Sequence, residues 1–182
     1  MKAWSRIDSG EDITKAGFRS VIHKQFRMNN GRVMQADVTS NEGSAAAGVI
    51  GLTEDNQVVI ARQFRCGPEK VLEEMPGGLV DAHESPEQAA RREFQEETGY
   101  EADSFEYLGH AYVNAWDNMK HHYFLARNCR QLASSAPEPN EEIEVDIISI
   151  TEFIDNAKEG RMTDSQGVLL AYDKLKEIEG GL

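Results

Sequence analysis

Residues 77–100 read GGLVDAHESPEQAARREFQEETGY, and this stretch is the most informative part of the sequence. Its second half carries helix signals: Ser85 is a favoured N-cap, and Pro86 follows at the first helical position, where its missing N–H costs little. Gln88 stands three residues after Ser85, which completes a capping box, and Gly99 is a typical helix stop. The sequence therefore predicts a helix that begins at Pro86 and ends just before Gly99.

The acidic residues of this helix are unevenly distributed. At 100° per residue, Glu93, Glu96 and Glu97 share the face that also carries two alanines and Phe94. A solvated helix with ordinary charge pairs is the simplest interpretation of so many charges. However, Glu93 and Glu97 are like charges one turn apart on the packing face, which costs free energy unless a cation lies between them. Carboxylate oxygens suit Mg²⁺ or Mn²⁺, so the helix predicts a divalent metal site.

The same stretch fills every defined position of a longer pattern, at Gly78, Glu84, Arg92, Glu93, Phe94, Glu96, Glu97, Gly99 and Tyr100. In this spacing the residues resemble the Nudix box: Gly, five residues, Glu, seven residues, Arg-Glu, an apolar residue, any residue, Glu-Glu, any residue, Gly and an apolar residue. The resemblance implies an α+β Nudix fold, with a mixed β-sheet between helices and the box as a loop–helix–loop. It also implies hydrolysis of a nucleoside diphosphate linked to another group.

The resemblance extends beyond the box. Val58–Arg65 (VVIARQFR) and residues 72–78 (LEEMPGG) are similar to the ADP-ribose pyrophosphatase and nucleotide-sugar hydrolase branch. In that branch, N-terminal strands form a small antiparallel sheet that helps to build a homodimer. The turn signal Asn29-Asn30-Gly31 fits such strands. We therefore predict a strand extension over residues 1–45 and a hydrolase domain over residues 46–182.

The remainder of the chain mixes strands and helices without strict alternation, which is typical of an α+β protein. Apolar runs predict a hairpin of residues 46–52 with 57–64, and further strands at 105–113, 121–126 and 143–150. The prolines at 137 and 139 predict a loop at 134–140. Helices are predicted at 151–158 and 164–178.

Roles at the metal site follow from chemistry and from the resemblance together. We expect Glu93, Glu96 and Glu97 to carry the metal, Glu84 to be a weaker ligand, and the Gly78 carbonyl to complete the shell. We expect Arg92 to pair with a box glutamate and orient it, the alternative being a plain surface ion pair with Glu96.

The attacking water needs a general base. In this branch the base often lies in a loop before the last strand, which makes Glu141 and Glu142 the candidates here. An ordinary charged loop is the alternative interpretation, and a box glutamate could serve instead.

Four residues are candidates for substrate contacts. Arg65 and Glu73 lie close to the box in sequence, and an arginine can bind phosphate through two hydrogen bonds. The alternative is that the arginines of this strand simply alternate outward. Trp116 and Trp4 could stack on a base, or could simply pack at the rim.

Composition excludes several classes of protein. With 19 basic and 32 acidic residues, the chain has a formal charge of −13, which argues against binding long nucleic acid or an anionic membrane. Apolar runs are too short to cross a membrane, and no signal peptide is visible. Cys66 and Cys129 make no disulfide framework, which fits a cytoplasmic protein.

The sequence thus predicts a Mg²⁺-dependent hydrolase that cleaves ADP-ribose or a nucleotide sugar into a nucleoside monophosphate and a phosphorylated remainder. Many ADP-ribose hydrolases have a proline in the loop after the box, and residues 114–118 have none, so the substrate stays open. Two alternatives are a catalytically silent nucleotide-binding module of the same fold, and a hydrolase of dinucleotides, RNA 5′ ends or damaged nucleoside triphosphates.

Overall fold

The computed structural model describes residues 1–7, 12–16, 19–39, 43–132, 134–136 and 141–181. The chain forms two compact units, which are Met1–Ser44 with Tyr112–Lys120, and Ala45–Ala111 with His121–Leu182. The first unit therefore includes a segment from far along the chain, in addition to the residues of the predicted N-terminal extension.

The first unit is a small antiparallel sheet, as the sequence predicts. Its strands are β1 (Ser5–Arg6), β2 (Asp12–Ala16), β3 (Arg19–Arg27) and β4 (Val33–Thr39), and β3 pairs with each of the other three. The predicted turn joins β3 to β4, where Gly31 has a φ of 85°. Such an angle favours glycine because other side chains clash there.

The second unit contains an eight-stranded mixed sheet and three helices. The order of its long strands is β10-β11-β5-β6-β12, while β7 pairs with β6, β8 with β5, and β9 with β11. The bounds are β5 Ala45–Thr53, β6 Val58–Arg65, β7 Lys70–Glu74, β8 Gly77–Leu79, α1 Pro86–Thr98, β9 Tyr100–Glu101, β10 Ser104–Tyr112, β11 Lys120–Gln131, β12 Ile143–Ile148, α2 Ile150–Lys158 and α3 Ser165–Gly180.

Helices cover both faces of this sheet, and side chains alternate between two cores. On β6, Ile60 packs in the core that contains residues of α2 and α3, whereas Val59 packs with Phe94 of α1. On β11, Tyr123 packs in the core with α2 and α3, and Phe124 packs in the core with α1. The predicted fold class, a mixed sheet between helices, is confirmed.

Several element bounds differ from the sequence prediction. The hairpin of β5 with β6 and all three helices lie where they are predicted, but β7 and β8 are additional, and β11 continues five residues beyond the predicted end at Ala126. Of the predicted loop 134–140, residues 137–140 lie outside the described part of the chain. No described helix is both long and apolar enough to cross a membrane.

Candidate active site

Helix α1 is fixed at both ends by the predicted caps. The Ser85 hydroxyl accepts a hydrogen bond from the Gln88 N–H at 3.2 Å, and the Gln88 side chain accepts one from the Ser85 N–H at 2.8 Å. At the other end Gly99 has a φ of 74° and donates to the Gln95 carbonyl. These local bonds set where the helix begins and ends, and therefore which residues point inward.

The inward face of α1 carries carboxylates as well as apolar side chains. Ala89, Ala90 and Phe94 are fully buried, and Glu97 is only 4% exposed. Glu93, one turn before Glu97, is largely buried too. The two like charges therefore lie on the packing face, as the sequence predicts.

Glu97 is the most strongly perturbed carboxyl group of this face. Burial raises its pKa to about 8, and the charges of Glu141 and Glu93 add to the shift. A hydrogen bond from the Gly77 N–H, 2.7 Å from Oε2, and the charge of Arg65 both act in the opposite direction. The site therefore gathers carboxyl groups where water reaches poorly, and without a cation Glu97 keeps its proton at neutral pH.

Arg92 binds three of the box carboxylates at once. Its Nε and Nη2 each donate to Glu84 at 3.0 Å, while Nη1 donates to Glu93 at 2.8 Å and to Glu96 at 3.1 Å. The guanidinium lowers the pKa of Glu84. The pKa of Glu93 is nevertheless raised, because burial outweighs the effect of Arg92. Arg92 thus contacts three box carboxylates rather than Glu96 alone.

The residues at this site fit a hard divalent cation. Gly78 of β8 lies directly against Glu93: a Cβ at Gly78 would stand 2.5 Å from the Glu93 carboxylate carbon. Only glycine therefore leaves this carboxylate its place beside the backbone. The donors are carboxylate and carbonyl oxygens, which Mg²⁺ and Mn²⁺ prefer.

The carboxylates are not gathered around one point. In the part of the chain that the structure describes, no three His, Cys, Asp or Glu side chains are arranged as a ready set of metal ligands. Glu93 and Glu96 are hydrogen-bonded to Arg92, and Glu97 to the Gly77 N–H. A cation would therefore compete with Arg92 for the oxygens of Glu93 and Glu96, and with the Gly77 N–H for the oxygen of Glu97.

The structure distinguishes the two candidates for the general base. Glu141 is close enough for its charge to raise the pKa of both Glu93 and Glu97. Glu142 is exposed. Of the two, Glu141 is therefore the better placed to act at the acidic face of α1.

The structure places Arg65 and Glu73 on opposite faces of the sheet, and contacts of either residue with a substrate stay predictions. The register of β6 with β7 sets Glu73 opposite Arg62, and the two residues bond. Arg65 lies on the other face of the sheet, three residues from Arg62, where its Nε donates to Glu74 at 2.5 Å. That face is shared with Val59 and α1, which explains why Arg65 influences Glu97.

Glu74 is a further buried carboxylate beside Arg65, which the sequence pattern alone does not indicate. It is 2% exposed, and besides Arg65 it accepts hydrogen bonds from the backbone and hydroxyl of Thr163. Glu74 stands beside Glu73 in the 72–78 motif, which indicates that it lies near the box. Only the strand β7 shows that Glu73 and Glu74 point to opposite faces of the sheet.

The two tryptophans lie in the first unit. Trp4 and Trp116 are 38% and 54% exposed, and the Trp116 carbonyl accepts a hydrogen bond from the Thr39 N–H at 2.7 Å. The hydrogen bond fixes the backbone near Trp116 to the end of β4. Contacts of either indole with a substrate stay predictions.

Comparison with known proteins matches most of the chain to a family. The sequence pattern of the NUDIX domain matches residues 44–170. The methanol dehydrogenase activator of Bacillus methanolicus is 32% identical over 152 residues, which cover 81% of this chain and 80% of that protein. An ADP-ribose pyrophosphatase of Bacillus subtilis is 27% identical, with 70% and 68% covered. A GDP-mannose pyrophosphatase of Pectobacterium atrosepticum is 31% identical, with 91% and 92% covered.

A solved structure agrees on the fold. A crystal structure described as an ADP compounds hydrolase superposes with a TM-score of 0.80 and covers 97% of this chain and 96% of its own. The two sequences are 17% identical, so this likeness concerns the architecture.

Proposed function

This chain belongs to the Nudix family, whose domain pattern matches well over half of it, and we propose that it hydrolyses the diphosphate linkage of ADP-ribose or a nucleotide sugar. The products are a nucleoside monophosphate and a phosphorylated remainder. Relatives named ADP-ribose pyrophosphatase and GDP-mannose pyrophosphatase support this substrate class. The homodimer and the cytoplasmic location stay predictions.

One observation carries the proposal: Glu97 is buried and Glu93, one turn before it, is largely buried, on a helix face that also packs against the sheet. A merely structural helix gains nothing from this arrangement, because burial disfavours both charges. The cost is offset when a divalent cation and its phosphate ligand are bound there.

Mg²⁺ or Mn²⁺, when bound, would neutralise the diphosphate and acidify a water molecule. The residues that would hold it are Glu93, Glu96 and Glu97, with Glu84 and the Gly78 carbonyl as further candidates. Arg92 keeps Glu84 and Glu93 oriented through charge-assisted hydrogen bonds.

Two further residues serve the substrate and the water. Arg65 supplies a positive charge on the α1 side of the sheet, held in place by Glu74, and we assign it to a substrate phosphate. Glu141 removes the proton of the attacking water, since its charge already acts on Glu93 and Glu97. Glu73 lies on the opposite face and is left out of the site.

The proposed activity is tested with a panel of nucleoside diphosphate derivatives. The purified protein is incubated with Mg²⁺ and ADP-ribose, GDP-mannose, other nucleotide sugars, a dinucleotide or a 5′-triphosphate RNA, and a phosphatase then releases phosphate from the products. We expect phosphate release from ADP-ribose or a nucleotide sugar, its loss on addition of EDTA, and its return with excess Mg²⁺.

Two results would contradict the proposal. Binding of these compounds without metal-dependent turnover would identify a silent nucleotide-binding module. Fastest turnover on the dinucleotide or the RNA would identify a hydrolase of another substrate class.

The general base is tested by a matched pair of substitutions. We expect Glu141→Gln to lower kcat by about 10²-fold or more, because a general base contributes on this scale. Glu142→Gln serves as the control, since it removes the same charge from an exposed neighbour, and we expect its kcat to stay within about twofold of the wild type. Steady-state kinetics at saturating Mg²⁺ measure both values, and equal kcat in the two variants would contradict the assignment.

A further inference from the structure

A second group of donor atoms, none of them from a box residue, lies on β10 and β11. The Tyr107 hydroxyl is 3.0 Å from Nδ1 of His122 and 3.3 Å from Nδ1 of His110. The centroids of the two imidazole rings are 5.6 Å apart, and the Tyr107 ring packs against Phe124 at a tilt of 51°, with centroids 5.3 Å apart. Three donor atoms thus converge at a surface that solvent reaches.

The backbone of β10 brings His110 into this group. Tyr107 and His110 are three residues apart, so a regular strand would direct them to opposite faces. Gly109 between them has a φ of 134°, a conformation that favours glycine. Leu108 and Ala111, also three apart, both pack against the same core. The strand therefore holds an irregularity at Gly109 that shifts the alternation, as a β-bulge does.

The two distances from the Tyr107 oxygen to the imidazole nitrogens are compatible with three ligands of one metal ion. Donors at about 2.0–2.1 Å from a tetrahedral ion lie roughly 3.3–3.4 Å from one another. The two distances from the Tyr107 oxygen, 3.0 and 3.3 Å, are close to this value. The Tyr107 hydroxyl has one proton to donate, so a metal ion bound here would displace the proton that the hydroxyl shares with the imidazoles.

We propose that His110, His122 and Tyr107 form a binding site for a borderline transition-metal ion such as Zn²⁺, with water in the remaining coordination positions. Imidazole nitrogen suits Zn²⁺, Cu²⁺ and Ni²⁺, whereas carboxylate oxygen suits Mg²⁺. The ligand chemistry therefore separates this site from the acidic face of α1. The inference does not depend on the proposed function.

The test is a calorimetric titration of the whole protein with Zn²⁺ in the presence of excess Mg²⁺, which occupies carboxylate sites in preference to imidazoles. We expect one Zn²⁺ per chain. His110→Gln and His122→Gln should each weaken Zn²⁺ binding by about 10-fold or more, and Tyr107→Phe should weaken it several-fold.

The matched control is His121→Gln. His121 precedes His122 on β11 but points to the other face, where its Nδ1 is 3.3 Å from Asp164. Its substitution should leave Zn²⁺ binding unchanged. Thermal unfolding verifies that each variant is folded.

Two outcomes overturn the site: wild-type affinity for Zn²⁺ in any one of the three variants, or no Zn²⁺ binding under excess Mg²⁺. Because the titration does not measure turnover, either outcome leaves the proposed hydrolase activity untouched. Conversely, the titration with Zn²⁺ would still test the site if the protein had no hydrolase activity.

Discussion

Glu97→Gln is expected to remove most of the turnover and, at the same time, to stabilise the metal-free protein at pH 8. Loss of one ligand to a cation that contributes several kcal/mol of charge stabilisation corresponds to roughly 10³-fold in rate. The amide keeps an oxygen to accept the hydrogen bond from the Gly77 N–H, which in the wild type is 2.7 Å from Oε2. The variant therefore loses the charge with little change in packing.

The gain in stability follows from the raised pKa. In the folded protein the pKa of Glu97 is about 8, against an ordinary value of 4.5. Between these two values the folded protein retains a proton that the unfolded chain has released. The free energy of unfolding therefore falls as pH rises through this window, by a few kcal/mol at most. Glutamine at this position does not titrate, so the Glu97→Gln variant does not lose this part of its free energy of unfolding as the pH rises.

Thermal unfolding of EDTA-treated protein at about pH 5 and pH 8 measures this effect. We expect the Tm of the wild type to fall further between these two pH values than the Tm of Glu97→Gln. Added Mg²⁺ should raise the Tm of the wild type at pH 8 more than that of the variant. Glu87→Gln is the control, because Glu87 lies on the exposed side of the same helix, where it pairs with Arg91. Near-normal turnover in Glu97→Gln, or equal pH dependence in both proteins, would refute the assigned role.

Gly77→Ala is expected to destabilise the second unit severely. A Cβ on Gly77 would stand 2.1 Å from the Ala47 carbonyl oxygen and 2.8 Å from the Cα of Gly48. Both neighbours are backbone atoms of the paired strand β5, so neither can rotate away. We expect a loss of about 3 kcal/mol or more, which for a chain of this size lowers Tm by roughly 10 °C.

The same substitution should also lower activity in the fraction that remains folded, because the Gly77 N–H holds Glu97. Gly67→Ala is the matched control, since its Cβ would meet no atom within 4 Å. Thermal or urea unfolding of the two variants measures the difference. A Tm for Gly77→Ala within the error of that for Gly67→Ala would show that β5 and β8 accommodate the methyl group.

Local chemistry explains why α1 could be predicted residue by residue. Its limits are set by Ser85, Pro86 and Gly99, whose effects act over a single helical turn, and the structure has the helix at Pro86–Thr98. The acidic inward face follows from the same periodicity. The spacing of the box residues then predicted the family.

What could not be predicted depends on pairing between distant segments. Strands β7 and β8 are short, and β7 carries Glu73 and Glu74 in succession, so neither shows a clear strand pattern. Without the register of β6 with β7, the partner of Arg65 could not be identified. The position of His110 likewise depends on the backbone at Gly109, which no alternation rule anticipates.

The discontinuous first unit has a practical consequence for protein expression. Tyr112–Lys120 belongs to the same unit as the N-terminal strands, and its Trp116 carbonyl accepts hydrogen bonds from the Thr39 backbone and hydroxyl. A truncated clone that starts at residue 46 would delete Thr39 and leave this loop, with its exposed indole, lacking its anchor. Anyone wishing to produce the second unit in isolation should therefore shorten the loop as well as remove the N-terminal strands.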